Sequence, residues 1–167
     1  FSELDRAWAE PERELLLCDW SAVPSDARDA LGGVLLEWPD ATVRYHAARA
    51  FETWRDEHRL LRLLDDPSPG VATSASYHLA SLGPSARAAS RVRRRFDALP
   101  FGARKSEAFT TYAAVAEPSE WHGLARAILT DADGDQSLRV TAVYALGHPS
   151  ASGVVAEQLH FLAGPPR

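Results

Sequence analysis

Val43-Arg44-Tyr45-His46-Ala47-Ala48-Arg49-Ala50-Phe51 decides the fold, because a near-copy stands later in the chain. That copy is Leu138-Arg139-Val140-Thr141-Ala142-Val143-Tyr144-Ala145-Leu146. Apolar residues fall at the same offsets, 43, 47, 50 and 51 against 138, 142, 145 and 146, and an Arg follows the first of them in both. Steps of four, three and one put such positions on one face of an α-helix. A third copy runs Val71, Ala75, His78 and Leu79 with Ala72 in the Arg slot. A poorer fourth runs Arg104, Ala108, Thr111 and Tyr112 with Lys105 there. The slots 44, 72, 105 and 139 recur at roughly thirty residues, the period of helical solenoids.

Outward from each copy, a second apolar stripe precedes it. Ala27, Ala30, Leu31, Val34 and Leu35 form one, and Trp121, Leu124, Ala125, Ile128 and Leu129 its counterpart. Leu60, Leu61 and Leu64 lie between, then Ala88, Ala89, Val92, Phe96 and Leu99. Each unit is therefore expected to be an A helix, a tight turn and a B helix, with about ten or eleven helices in all. The turns suit this. Asp40 can cap the helix bearing Val43 with its carboxylate. Asp66-Pro67-Ser68-Pro69-Gly70 and Asp133-Gly134-Asp135-Gln136-Ser137 interrupt two pairs. Gly83 and Gly147 stand where B helices end, with freedom to turn left-handed. Period-two alternation is not sustained in any window, so no strand is expected.

Composition agrees with one globular domain. The 167 residues are 46% hydrophobic and 25% charged. No basic-then-apolar leader opens the chain, so no signal peptide is expected, and no apolar run approaches the length of a membrane span. The chain begins at Phe1 and holds no Met, as expected of a trimmed or processed form. Cys18 is its only cysteine and cannot close an intrachain disulfide, which points to the cytoplasm. A net charge of −5 disfavours generic nucleic-acid binding.

The repeats resemble HEAT repeats, and more narrowly the short bacterial kind of phycobilisome-lyase-type HEAT proteins. Asp40, Val43, Arg44, Ala47, Ala48 and Phe51 carry the pattern, as do Asp135, Leu138, Arg139, Ala142, Leu146 and Gly147. Asp66, Val71, Ala75, Leu79, Leu82 and Gly83 carry it without the Arg. The resemblance covers residues 25–163, with 1–24 as loosely matching N-terminal helices (around Glu3–Ala9 and Glu12–Asp19) or a cap. It implies an all-α, right-handed α-solenoid of stacked hairpins in a single domain, 1–167. It also implies a ladder between repeats in which Arg44 and Arg139 bond turn carboxylates, with Asp40 and Asp135 as acceptors.

Sites of chemistry are few. Asp131, Asp133 and Asp135 alternate as in a calcium loop, but the Gly and Glu that an EF-hand requires are out of place. The six His are scattered singly, so no metal is expected. Neither a nucleophile elbow nor a phosphate-cradling loop occurs, and no cofactor is expected. Cys18 reads as a small buried hydrophobe. Arg87, Arg91, Arg94 and Arg95 share a helical face, readable as a polyanion patch or as a solvated outer face, the second being expected. Trp38, Trp54 and Trp121 read as core, whereas Trp8 and Trp20 are candidate interface markers.

The expected function is a non-enzymatic scaffold or adaptor that binds a protein or peptide partner on a concave face lined by B helices. Two columns of polar and aromatic residues would cross it: Arg49, Tyr77, Thr110 and Tyr144, and beside them His46, Ser74, Glu107 and Thr141. The alternative is a lyase-like accessory enzyme acting on a small molecule. A DNA-processing HEAT protein ranks last, since the basic residues sit on an A helix and the chain is acidic.

Overall fold

The computed structural model describes residues 18–131 and 134–147. All regular structure among them is helical: a 3₁₀ turn, Trp20–Ala22, then α1 (Ser25–Leu36), α2 (Ala41–Thr53), α3 (Glu57–Leu63), α4 (Pro69–Ser81), α5 (Ala86–Ala98), α6 (Ala103–Val115), α7 (Pro118–Thr130) and α8 (Gln136–Leu146). The all-α class stands, with eight α-helices among the described residues. The expected helix around Glu3–Ala9, most of that around Glu12–Asp19, and Trp8 lie outside them. The chain divides into two compact units, Phe1–Leu82 and Gly83–Arg167.

In the first unit α2 packs on α4, α1 packs on α2, and α3 packs on both α2 and α4. Small side chains make the α2–α4 approach close: Ala47, Ala48 and Ala50 on one helix and Ala72, Ser74, Ala75 and Ser76 on the other are buried. The Ser74 hydroxyl donates to the Tyr45 carbonyl at 2.9 Å across this seam. Phe51, Leu60, Leu63, Leu64, Val71 and Leu79 fill the interior. Asp40 caps α2, its carboxylate accepting the Thr42 N–H at 2.7 Å. The helix ends in a Schellman-type turn: Asp56 N–H bonds the Phe51 carbonyl at 2.7 Å and Arg55 N–H the Glu52 carbonyl at 2.9 Å. Arg55 takes the left-handed conformation this requires, at φ +56°.

Several expectations need correction here. The α1 stripe is rotated: Gly32, Leu35 and Leu36 are buried, whereas Ala27 and Ala30 are exposed and Val34 is 52% exposed. Gly32 faces inward because the Arg59 side chain lies against it; a Cβ there would stand 2.8 Å from Arg59 Nε. Trp20 is core and not an interface marker, packed edge-on to Trp54 with ring centroids 5.9 Å apart. Trp54 Nε1 fixes the pair by donating to the Trp20 carbonyl at 2.7 Å. Trp38 is exposed, as is Cys18, which is therefore not the buried hydrophobe expected.

In the second unit α6 packs on α5, α7 and α8, and α7 packs on α8. The whole expected α7 stripe, Trp121, Leu124, Ala125, Ile128 and Leu129, is buried. Ala88, Ala89, Val92 and Phe96 of α5 are buried too, with Phe96 and Phe109 ring centroids 6.2 Å apart. Arg104, read as the first core position of its copy, is exposed; Ala108, Thr111 and Tyr112 are buried. Lys105, in the Arg slot, donates Nζ to the Leu99 carbonyl at 2.9 Å and lies over the Phe96 and Phe101 rings at 4.7 and 5.2 Å. Of the two helix-ending glycines, Gly83 is left-handed at φ +87°, whereas Gly147 stays right-handed at φ −74°.

Candidate functional site

Arg44, expected to bond Asp40, reaches a different acceptor. The Arg44 guanidinium binds both oxygens of Asp66, Nε to Oδ2 at 2.7 Å and Nη2 to Oδ1 at 3.0 Å. Nη1 donates to the Trp38 and Pro39 carbonyls at 2.6 and 2.9 Å. A helical side chain leans toward its own N-terminus, so Arg44 reaches the turn before α2 and the neighbouring turn before α4. Asp40 is occupied with its capping bond. Asp66, bonded by Arg44, is held below the ordinary carboxylate range despite the opposing cost of burial, with the Ser68 N–H as a second donor. In the second unit Arg139 bonds the Asp131 carbonyl, and Asp135 caps α8 by accepting the Leu138 N–H at 3.1 Å. Arg139 Nε is buried without a hydrogen-bond partner among the described residues. Arg44 and Arg139 thus both reach turn oxygens, and neither uses the acceptor expected.

The open face is narrower than the two expected columns. His46 is buried at 8% exposure, and Ser74 and Ser106 are buried with it. Glu107 and Thr141 are half-buried. In the first unit the cause is plain for Ser74, which sits at the α2–α4 seam and donates its hydroxyl to the Tyr45 carbonyl. The other column stays exposed: Arg49 and Tyr77 in the first unit, Thr110 and Tyr144 in the second. Tyr77 is 70% and Tyr144 77% exposed. On α2 the exposed residues beyond Arg49 are Tyr45 and Thr53, and on α4 they include Thr73 and Ser81 beside Tyr77. These spacings of four trace one thin stripe along each helix.

Around Tyr144 the surface is concave. Thr110, Ala113 and Ala114 of α6, Trp121 of α7, and Thr141 and Tyr144 of α8 line a groove of about 560 Å³. Its walls are mostly apolar, with two Thr hydroxyls and the Tyr144 phenol as polar points. A groove of this size and lining accepts an apolar side chain or a short helical segment. The sequence placed Trp121 in the core, where it is; its second role as a groove wall has no sequence signal, because a stripe position does not reveal which ring edge a missing neighbour leaves open. The first unit has a shallower, charged cavity of about 490 Å³ near the α1 N-terminus and the α2–α3 turn, but its central cation, Arg59, already bonds Asp56 and Asp29.

The α5 arginines keep the face expected of them: Arg87, Arg91 and Arg94 are exposed and Arg95 half-buried, opposite Ala88, Ala89, Val92 and Phe96. Among the described residues no group of three His, Cys, Asp or Glu is placed to hold a metal ion, and Asp133 lies outside them. No described helix is long and apolar enough to cross a membrane. Comparison with protein-family models, curated proteins and solved structures returns no match.

Proposed function

We propose that this chain is a non-enzymatic interaction module, a right-handed solenoid of HEAT-type hairpins that holds a protein or peptide partner on its B-helix surface. Support for the repeat architecture comes from within each unit. B helix packs on B helix, and Arg44 bridges the turn before its own helix to the turn before the next. The apolar groove beside Tyr144 carries the binding reading: a phenol 77% exposed at the edge of an alanine-, threonine- and tryptophan-lined depression is the type of anchor enriched in binding hot spots. A lone cysteine suits a cytoplasmic setting.

The test uses the full chain and a variant carrying Tyr77→Ala and Tyr144→Ala as baits, with captured proteins quantified by mass spectrometry. Both side chains are largely exposed, so the variant should melt within about 2 °C of the parent. A partner held stoichiometrically by the parent should be lost by the variant, at a cost of about 2 kcal/mol or more in affinity. An identical captured set from both baits would place binding elsewhere.

A further inference from the structure

We infer that the apolar groove beside Tyr144 is a seat for this chain's own C-terminal segment, residues 154–162, which a partner must displace in order to bind. This rests on the reading of the groove as a binding surface and adds a regulation to it. The last two turns of α8 supply Thr141, Tyr144 and Ala145 to the groove. The described residues end at Gly147, two positions after Ala145, and the sequence runs on from 148 to 167. The tail thus departs from the groove's own wall. Pro149 lacks the N–H that a continued α8 would donate, so the sequence favours a turn there. Val155 stands eight positions beyond Gly147, a reach of up to about 28 Å. The stretch from Thr141 to Ala145 covers only about 6 Å of helix, so the tail is long enough to turn back over it.

Three observations identify the occupant. The first is the chemistry of the groove. Among the described residues no charged side chain lines it. Its two Thr hydroxyls donate back into their own helices, Thr110 to the Ser106 carbonyl at 3.1 Å and Thr141 to the Ser137 carbonyl at 2.9 Å. Neither therefore offers its proton to an occupant. A surface of this kind accepts apolar side chains and rejects charged ones. The second is the sequence of the tail, Val154-Val155-Ala156-Glu157-Gln158-Leu159-His160-Phe161-Leu162. Val155, Leu159 and Leu162 recur at steps of four and three, the spacing of anchors that a helix lays into an apolar groove. Val154 and Phe161, seven positions apart, widen that stripe along one edge, and the charged or titratable Glu157 and His160 fall on the remaining face. Gln158 is the one polar residue within the stripe, an uncharged amide able to pair with the Tyr144 phenol. The third is that α8 leaves Val140 and Tyr144 exposed four positions apart, an uncovered surface on the helix from which the tail departs. The tether decides between this tail and that of a second copy. A segment on a short linker meets its site at an effective concentration on the order of 1 mM, far above the concentration of free chains. A tail whose Kd as a free peptide is about 0.1 mM would then fill the groove in roughly nine chains of ten and weaken a competing partner about tenfold.

The experiment uses the full chain with Phe161 replaced by a photo-reactive benzophenone amino acid. An equal mixture of unlabelled and nitrogen-15-labelled chains is irradiated, and the cross-linked peptides are mapped by mass spectrometry. Links should join position 161 to residues 110–121 or 141–145 of the same chain. In a second measurement, a synthetic peptide of residues 152–164 is titrated into the parent and into the Leu159→Asp, Leu162→Asp variant of the full chain. The variant should bind it about tenfold more tightly, because its own tail no longer competes. Adding Tyr144→Ala to that variant should weaken the peptide at least tenfold. Cross-links that fall elsewhere, join different chains or do not form would overturn the inference, as would a peptide that parent and variant bind equally or not at all. The cross-linking keeps every other apolar residue of the tail, so it decides the matter even where the aspartates disturb folding. The partner reading fails separately, on the bait comparison with Tyr77→Ala and Tyr144→Ala.

Discussion

Arg44 and Asp66, twenty-two positions apart, form a two-point ion pair that ties the α2 helix to the turn before α4. Their side chains are 13% and 6% exposed, so water does little to screen them. Asp40, on the same turn as the Arg44 carbonyl contacts, holds only one cap bond. The two carboxylates should therefore differ in weight. Removing one partner of a mostly buried pair strands the other charge, so Asp66→Ala should cost about 3 kcal/mol. Asp40→Ala should cost about 1 kcal/mol, the worth of an N-cap. Urea denaturation of both variants checks this, and equal losses would mean that the bridge contributes no more than a cap.

The same pair sets a pH dependence. Arg44 holds the Asp66 carboxyl below its ordinary value of 3.8 by hydrogen bonding, so the folded chain binds this proton less readily than the unfolded one. The contribution is therefore fully present above the ordinary carboxylate value and is lost as pH falls through the lower folded value. The stability gap between parent and Asp66→Asn should stay constant from about pH 7 to 5 and shrink below about pH 4. A gap unchanged down to about pH 2.5 would show that Asp66 is not ionised through Arg44.

How far the sequence reached can be judged helix by helix. The α7 stripe was legible in full because that helix buries one contiguous face, and an apolar face is what periodicity reports. On α1, Val34 was read as core from its place on an apolar stripe, while the side that packs carries Gly32, which no periodicity scale rewards; its meaning depends on Arg59, far along the chain. Ser74 was misplaced for a related reason. A helix flanked by another B helix buries part of its polar side as well, and a stripe derived from apolar residues cannot show that second seam. Arg44 was read as bonding a turn carboxylate, but which carboxylate depends on which turn lies within reach, a tertiary fact. The groove at Tyr144 arises from what neighbouring helices leave unfilled, so only single residues of it were visible beforehand.

Arg55 offers a stabilising substitution. Its φ of +56° places a side-chain-bearing residue in the left-handed region, where Cβ crowds the backbone. The two closing bonds of the α2 terminus, to Phe51 and Glu52, need that conformation and would form equally well with Gly. Arg55→Gly should raise the unfolding free energy by about 0.5–1 kcal/mol, after the greater chain entropy of Gly is subtracted. Gly83→Ala, at φ +87° with open space around its missing Cβ, should do the reverse by a similar amount. Both can be read from denaturation midpoints, and a destabilised Arg55→Gly would mean that the Arg55 side chain supplies more than the strain removes.

Gly32 and Arg59 should be energetically coupled. A Gly inside a helix ordinarily costs about 1 kcal/mol relative to Ala, so Gly32→Ala on α1 would be stabilising if nothing stood beside it. Arg59 does stand there, with Nε 2.8 Å and Cζ 2.9 Å from the position a Cβ would take. The guanidinium cannot simply swing aside, because it bonds Asp56 and both the side chain and the carbonyl of Asp29. Moving it breaks bonds that hold α1 to α3. Gly32→Ala alone should therefore be neutral or destabilising. In an Arg59→Ala background, where those bonds are already gone and the space is empty, the same change should stabilise by about 1 kcal/mol. The four denaturation curves of this cycle give the coupling directly, expected at about 1 kcal/mol or more. Additive effects within about 0.3 kcal/mol would show that Arg59 relaxes away from α1 without loss, and that Gly32 is no more than a weak point in its helix.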